Sequence, residues 1–402
     1  RKMKKILAMM LTAAMMLSMG TAALAADGET PTYDDEATVT ITKLYKENKD
    51  SAISPTETFY FTVDEGWGTT FVTDSTVENT EAAVEASYGE DGNGKKTAIS
   101  IGDVTFNEGV ATLDGQEGKV TITLPKYTVV GIYYYTIKET PADTAGVTYY
   151  AKDIMLKVTV IEQNGKVRVA AVHTEEGYNG TEKDGTKKDT FENLYSAGTL
   201  EIKKMVEGNL GDKTKDFTVT VVFTKDADVT VGAPIKYSTT GGQTDPDYEQ
   251  SKNWETEEKE VAAEDGTTKK ITVQKETSTV VINLKHNETV TFTNIPHGVS
   301  YKVVEDNYRT STDSSNDYDN VKYDGTDIKS TITVTGAEAE DNGVSGSIVK
   351  DSDEDTVTIT NTKISDVDTG ISVDSIPYIA MLGVVAIGGT GFIVSKKRRS
   401  ED

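Results

Sequence analysis

Cysteine is absent from all 402 residues. Disulfides, thiol nucleophiles and cysteine-ligated metals are thereby excluded. Histidine is almost as scarce. His173, His286 and His297 are scattered without ligand spacing, which leaves no histidine metal centre and no nucleophile–histidine pair. Apolar residues at helical period are nearly missing, while Thr, Val and Tyr are plentiful, so the fold class is all-β. Positive charge is in deficit. Lys and Arg number 41 against 66 Asp and Glu, for a net charge of −25. That balance argues against nucleic acid or an anionic membrane surface as partner. No cofactor and no metal is implied.

What is present is a pair of misplaced lysines. In Gly198-Thr-Leu-Glu-Ile-Lys-Lys204 a strand would put Leu200, Ile202 and Lys204 on one face. In Val39-Thr-Ile-Thr-Lys43 the same alternation groups Val39, Ile41 and Lys43. Lysine is almost never fully buried without a partner, and among the lysines only these two are expected inside.

Both ends carry processing patterns. Arg1, Lys2, Lys4 and Lys5 precede an apolar run from Ile6 to Met19, and Ala23-Leu-Ala25 closes it. That order predicts a signal peptide over 1–25, with the mature chain starting near Ala26. At the other end 376–394 is apolar and long enough to span a bilayer, and Lys396, Lys397, Arg398 and Arg399 follow. Upstream lies Asp366-Val-Asp-Thr-Gly370. Thr-Gly, spacer, apolar span and basic tail together resemble the cell-wall sorting signal cleaved by sortases between Thr369 and Gly370. Asp368 stands where that signal has proline. A plain single-span anchor is the alternative for 365–402.

Between the ends the chain repeats itself. The first unit, 26–196, has Lys43, a strand at Thr58–Val63, a strand Tyr135-Thr-Ile-Lys-Glu139 and the closing Phe191-Glu-Asn193. The second, 197–364, has Lys204, a strand at Asp216–Phe223, Tyr301-Lys-Val-Val-Glu305 and Val357-Thr-Ile-Thr-Asn361. Lys to Glu spans 96 and 101 residues, and Glu to Asn spans 54 and 56. Polar stretches at 85–98, 174–190, 238–270 and 309–329 read as loops. In each unit a Lys, a Glu and an Asn share a face with aliphatic neighbours. Three polar groups entering one core are costly unless they meet.

Burial favours neutral forms, so such a Lys loses its proton more readily and such a Glu keeps one. A neutral amine is a nucleophile. Attack on the Asn carboxamide, with Glu139 or Glu305 shuttling protons, releases ammonia and leaves an amide between side chains. The alternative is an ordinary buried Lys–Glu ion pair capped by Asn.

These stretches resemble the major (backbone) pilins of Gram-positive bacteria, of the streptococcal T-antigen type. The matching segments are 39–43 and 200–204, 135–139 and 301–305, and 191–193 and 357–361, with Val206-Glu-Gly-Asn-Leu-Gly-Asp212 also typical. The resemblance implies two tandem Ig-like (CnaB-type) β-sandwiches and isopeptide bonds Lys43–Asn193 and Lys204–Asn361. It implies no turnover enzyme but a structural subunit, polymerised head-to-tail by a pilin sortase. The partners would be identical subunits, peptidoglycan of the cell wall, and tip and base pilins, in an extracellular pilus grown from a membrane-anchored precursor. It also places the acceptor lysine just before the last strand of the first unit. Lys187 and Lys188 both stand there, and a solvated basic turn is the plain alternative. The rival functions are a monomeric wall-anchored adhesin with the same domains and a secreted hydrolase, for which no stretch singles out a carboxylate pair.

Overall fold

The computed structural model describes residues 38–365, apart from 71–81, 86–88, 91–95, 98, 126, 128–129, 177–185, 242–249, 263–266, 310–316, 327–331, 336–340 and 351–353. The signal-peptide region, Thr369-Gly370 and 376–394 lie outside these residues. Among the described residues there is no helix, and hence none long and apolar enough to cross a membrane. The chain is all-β.

Alternation builds the strands. In Thr38–Glu47 the buried positions are Ile41, Lys43 and Tyr45. Phe217–Thr224 buries every second residue from Phe217 to Phe223. Side chains of period two thus give each strand an inner face and a solvated face.

The first unit pairs two sheets over one core. One sheet runs Val147–Thr148, Thr190–Tyr195, Thr38–Glu47, Gln116–Thr123, Ser100–Ile101. The other runs Thr186–Lys187, Lys166–Glu176, Ile154–Gln163, Gly131–Thr140, Glu57–Thr70, Ala82–Glu85, with Val104–Phe106 also on Glu57–Thr70. Tyr45, Phe59 and Phe106 meet between the sheets at centroid distances of 5.1–5.8 Å.

The second unit repeats the plan. Its larger sheet runs Gln250–Lys252, Ile235–Thr240, Thr289–Pro296, Ala197–Glu207, Glu354–Thr362, Asn320–Gly325, Ile332–Thr335. Its smaller sheet runs Thr277–Leu284, Phe217–Thr224, Ser300–Glu305, Val344–Ser347. Each unit has its own apolar cluster, with Ala145 of the first packed in that of the second and Ala197 of the second in that of the first.

In both units the first and last strands are parallel neighbours. Lys43 lies opposite Phe191 and Tyr45 opposite Asn193. Lys204 lies opposite Ile359 and Val206 opposite Asn361. The Asn is therefore two residues beyond the Lys in each case, on the same inward face. The Glu comes from the other sheet, with Phe61 opposite Glu139 and Val219 opposite Glu305.

The junction between units is hydrogen-bonded. Asn48 mimics a strand neighbour of Ala197, donating to its carbonyl at 3.0 Å and accepting from its N–H at 3.1 Å. Asn294 accepts from Ile53 N at 2.8 Å and from the Tyr195 hydroxyl at 3.1 Å.

All four loop expectations need correction. The stretch 85–98 contains the paired strands Gly89–Glu90 and Lys96–Thr97, and 174–190 contains the end of Lys166–Glu176 and its partner Thr186–Lys187. The stretch 238–270 contains the strand Gln250–Lys252, and a hairpin pairs Thr256–Ala262 with Thr268–Gln274. The stretch 309–329 contains Asn320–Gly325. The hairpin is largely solvated on both faces, so it carries no apolar alternation to betray it.

Candidate functional site: two buried Lys–Glu–Asn clusters

The folding rule that makes the strands also delivers the polar groups. Lys43, Glu139 and Asn193 each continue a run of inward positions, and the sandwich closes them onto one another. Lys43 and Lys204 are both 0% exposed.

In the first cluster Lys43 Nζ donates to Glu139 Oε2 at 2.7 Å and, in close contact, to Asn193 Oδ1. Asn193 Nδ2 closes the triangle on Glu139 Oε1, which also accepts from Tyr150 N at 3.3 Å. In the second cluster Lys204 Nζ donates to Asn361 Oδ1 at 2.8 Å and to the Met205 and Ile359 carbonyls at 3.0 and 3.4 Å. Glu305 Oε1 lies 3.1 Å from that amine. Asn361 and Lys204 both face the Glu305 carboxyl and interact with it.

Burial pushes the Lys43 amine down to about 8, against the opposing pull of Glu139. Burial does the same to Lys204, with Glu305 opposing. Glu305 is driven above the usual carboxyl range by burial, although Lys204 works the other way. Placing two ions together in such a core costs several kcal/mol per ion in desolvation. The neutral pair, amine plus carboxylic acid, escapes that cost. This is the protonation state in which an amine attacks and an acid gives up a proton. The amine already touches the carboxamide it would attack, so proximity is supplied by the fold.

Sequence reasoning missed the wall behind each amine. Lys43 Nζ lies 4.0 Å from the Phe59 ring centroid and Lys204 Nζ lies 4.2 Å from that of Phe217. The two rings are register equivalents, each two residues before the one opposite the Glu. Both phenylalanines sit on strands the sequence marked, but nothing local says which ring faces a lysine on the other sheet.

Lys225 corrects another expectation. It is 5% exposed, a third buried lysine, with Nζ 3.3 Å from the Asp226 carbonyl. It follows Phe223 at the next inward position. Inward parity alone therefore does not make a site; the Glu and Asn do.

Lys187 is exposed and lies opposite Glu175 on the neighbouring strand. Lys188 is half-buried, with its N–H on Thr174 O at 3.2 Å and its amine 5.9 Å from the Tyr150 ring centroid. Both immediately precede the last strand of the first unit, Thr190–Tyr195. The histidines stand apart: His173 pairs with Glu175, and His286 Nδ1 accepts from Val206 N at 2.9 Å.

Comparison with known proteins points the same way for the first unit. Residues 39–196 match the model of the Spy0128-like isopeptide containing domain, and 198–363 match that of a domain of unknown function (DUF7601). A pilin of Streptococcus pyogenes serotype M1 is 28% identical over 275 residues, covering 66% of this chain and 68% of that protein. Among solved structures, the major pilin from Streptococcus pyogenes aligns over 82% of this chain and 99% of its own, at 20% identity and TM-score 0.47. The T3.2 major pilin of the same organism gives 16% identity and TM-score 0.44, with the same coverage of both chains.

Proposed function

From the premise that this chain is a homologue of the streptococcal major pilins, we propose that it is the shaft subunit of a sortase-polymerised pilus on a Gram-positive cell. Each unit is locked by one internal amide, Lys43–Asn193 and Lys204–Asn361. The observation that carries the reading is the recurrence of one Lys–Glu–Asn arrangement, with the same strand offset, in both units.

The reaction balances within one molecule. The neutral Lys Nζ attacks the Asn carboxamide carbon, and its proton passes by way of the Glu carboxyl to the departing nitrogen. A C–N bond forms, a C–N bond breaks, and ammonia leaves. The chain turns over nothing else and acts on no other substrate.

Assembly rests on the ends. A sortase cleaves between Thr369 and Gly370 and passes the Thr369 carbonyl to a lysine amine of the next subunit. Lys187 is the better candidate by its exposure, with Lys188 beside it. The last subunit is passed to peptidoglycan, and tip and base pilins complete an adhesive fibre.

The test is the covalent ladder of multimers in wall extracts. The double variant Lys187→Arg, Lys188→Arg keeps charge and removes both primary amines. The ladder is expected to collapse to monomer while export persists. A ladder intact in the double variant moves the joint to another lysine, and no ladder from the unaltered chain supports the monomeric adhesin instead.

A further inference from the structure

The carboxyl of Glu305 has to keep its proton until the amine attacks, and something must hold it while it does. A tyrosine from the opposite sheet reaches its backbone. Tyr323 is fully buried on Asn320–Gly325, the strand flanking the Asn361 strand. Its hydroxyl oxygen accepts from Glu305 N at 3.0 Å, and its O–H donates to Asp341 Oδ2 at 2.8 Å. Asp341 is fixed in turn, because its Oδ1 accepts from Gly343 N at 2.8 Å. Gly343 sits at φ +62°, where a Cβ would strike the Val303 carbonyl oxygen, so the turn closes directly onto the Glu305 strand.

The first unit also sets a tyrosine beside its Glu, but through a different contact. Tyr150 follows Val147–Thr148, which flanks the Asn193 strand as Asn320–Gly325 flanks that of Asn361. Tyr150 N donates to Glu139, and its hydroxyl donates to the Glu176 carboxylate. The acids that accept from these two hydroxyls also differ in their surroundings. Glu176 is ion-paired with Lys152 at 2.8 Å, whereas Asp341 makes no ion pair among the described residues.

Resting on the isopeptide reading above, we propose that Tyr323 and Asp341 are positioning residues for the Glu305 proton shuttle. Tyr323 fixes the Glu305 backbone across the sandwich. Asp341 sets a negative charge two hydrogen bonds from the Glu305 backbone, by way of the Tyr323 hydroxyl, which disfavours a second negative charge on Glu305 and so helps retain its proton. The other titratable groups near Glu305 are Lys204 from the first strand of the unit and Tyr318 from the segment before Asn320. Lys204 favours the carboxylate and Asp341 opposes it.

The test follows bond formation in the full chain made by cell-free synthesis, using intact mass with peptide mapping across Lys204 and Asn361. Asp341→Asn is expected to slow ammonia loss in the second unit at neutral pH, because Glu305 then holds its proton less well. The acid limb of the rate profile, which follows loss of the first proton from the Lys204–Glu305 pair, is expected to move to lower pH, and Asp341→Glu to restore both rate and profile. The first unit of the same molecule is the internal control and keeps its rate. Tyr323→Phe keeps the ring and is expected to slow the second unit as well. An Asp341→Asn rate and pH profile equal to the parent's overturns the proposal. A slowing that is equal at every pH also overturns it, since that is what a merely structural role gives. If the unaltered chain loses no ammonia at Lys204, the isopeptide reading falls and this proposal with it; if it does and Asp341→Asn changes nothing, only this proposal falls.

Discussion

Replacing Glu139 with Gln is the cleanest perturbation of the first cluster. The shape stays, but Gln has no titratable proton to shuttle, so Lys43 and Asn193 should remain separate side chains. On the proposed reading, the amide of the parent closes a loop of 150 residues. By analogy with disulfides, closing such a loop in the unfolded chain contributes about 5 kcal/mol. For a domain of this size each kcal/mol moves the midpoint by roughly 2–4 °C. Glu139→Gln is therefore expected to lower the melting midpoint of the first unit by about 10–20 °C. The unreacted amine, buried beside a neutral partner, pushes in the same direction. Scanning calorimetry reads the midpoint, and intact mass on the same sample reads the ammonia. Retention of the ammonia loss in Glu139→Gln would refute the shuttle role. An absent bond with an unchanged midpoint would refute the stability argument while leaving the chemistry.

Pulling the chain from its two ends gives a mechanical prediction: since each bond joins first strand to last, the roughly 500 Å of extended chain between Lys43 and Asn193 should stay locked. The Glu139→Gln variant should release that length in single-molecule force spectroscopy; release in the parent would count against the bond. Asn193→Ala should leave a free buried amine, whose folded value of about 8 lies below its ordinary 10.5. The unfolded chain then binds the extra proton between those values, so that variant should gain stability as pH rises from about 8 to 10.5, whereas the bonded parent should show no such lysine-dependent gain. Phe217→Ala should admit water behind Lys204, raise its pKa and slow bond formation in the second unit alone; an unchanged rate there would show that the ring is only packing.

The part legible in the sequence was parity. Lysine, glutamate and asparagine placed among aliphatic residues at period two announce themselves, and the structure puts all six inside. Parity also has a false positive, Lys225, which continues the Phe217–Thr224 alternation as faithfully as Lys204 continues its own. What separated them was repetition at matched spacing. Long-range closure was harder to see. Nothing local in Thr38–Glu47 says that it lies parallel to Thr190–Tyr195, since that pairing is decided by the whole sandwich. The Phe59 and Phe217 walls depend on the same closure. The Tyr323–Asp341 support was invisible for a further reason: its two hydrogen bonds run through a hydroxyl and a turn carboxylate, neither of which leaves a periodic trace. The hairpin at Thr256–Gln274 shows the opposite failure, in which regular strands exist without an apolar face.

The central claim is that two amides form without assistance inside one folded chain. The most direct measurement is the intact mass of the purified, folded ectodomain, with peptide mapping of its cross-linked fragments. The account predicts a mass two ammonia molecules below that of the sequence, with linked peptides joining Lys43 to Asn193 and Lys204 to Asn361. A folded sample at full sequence mass would contradict it.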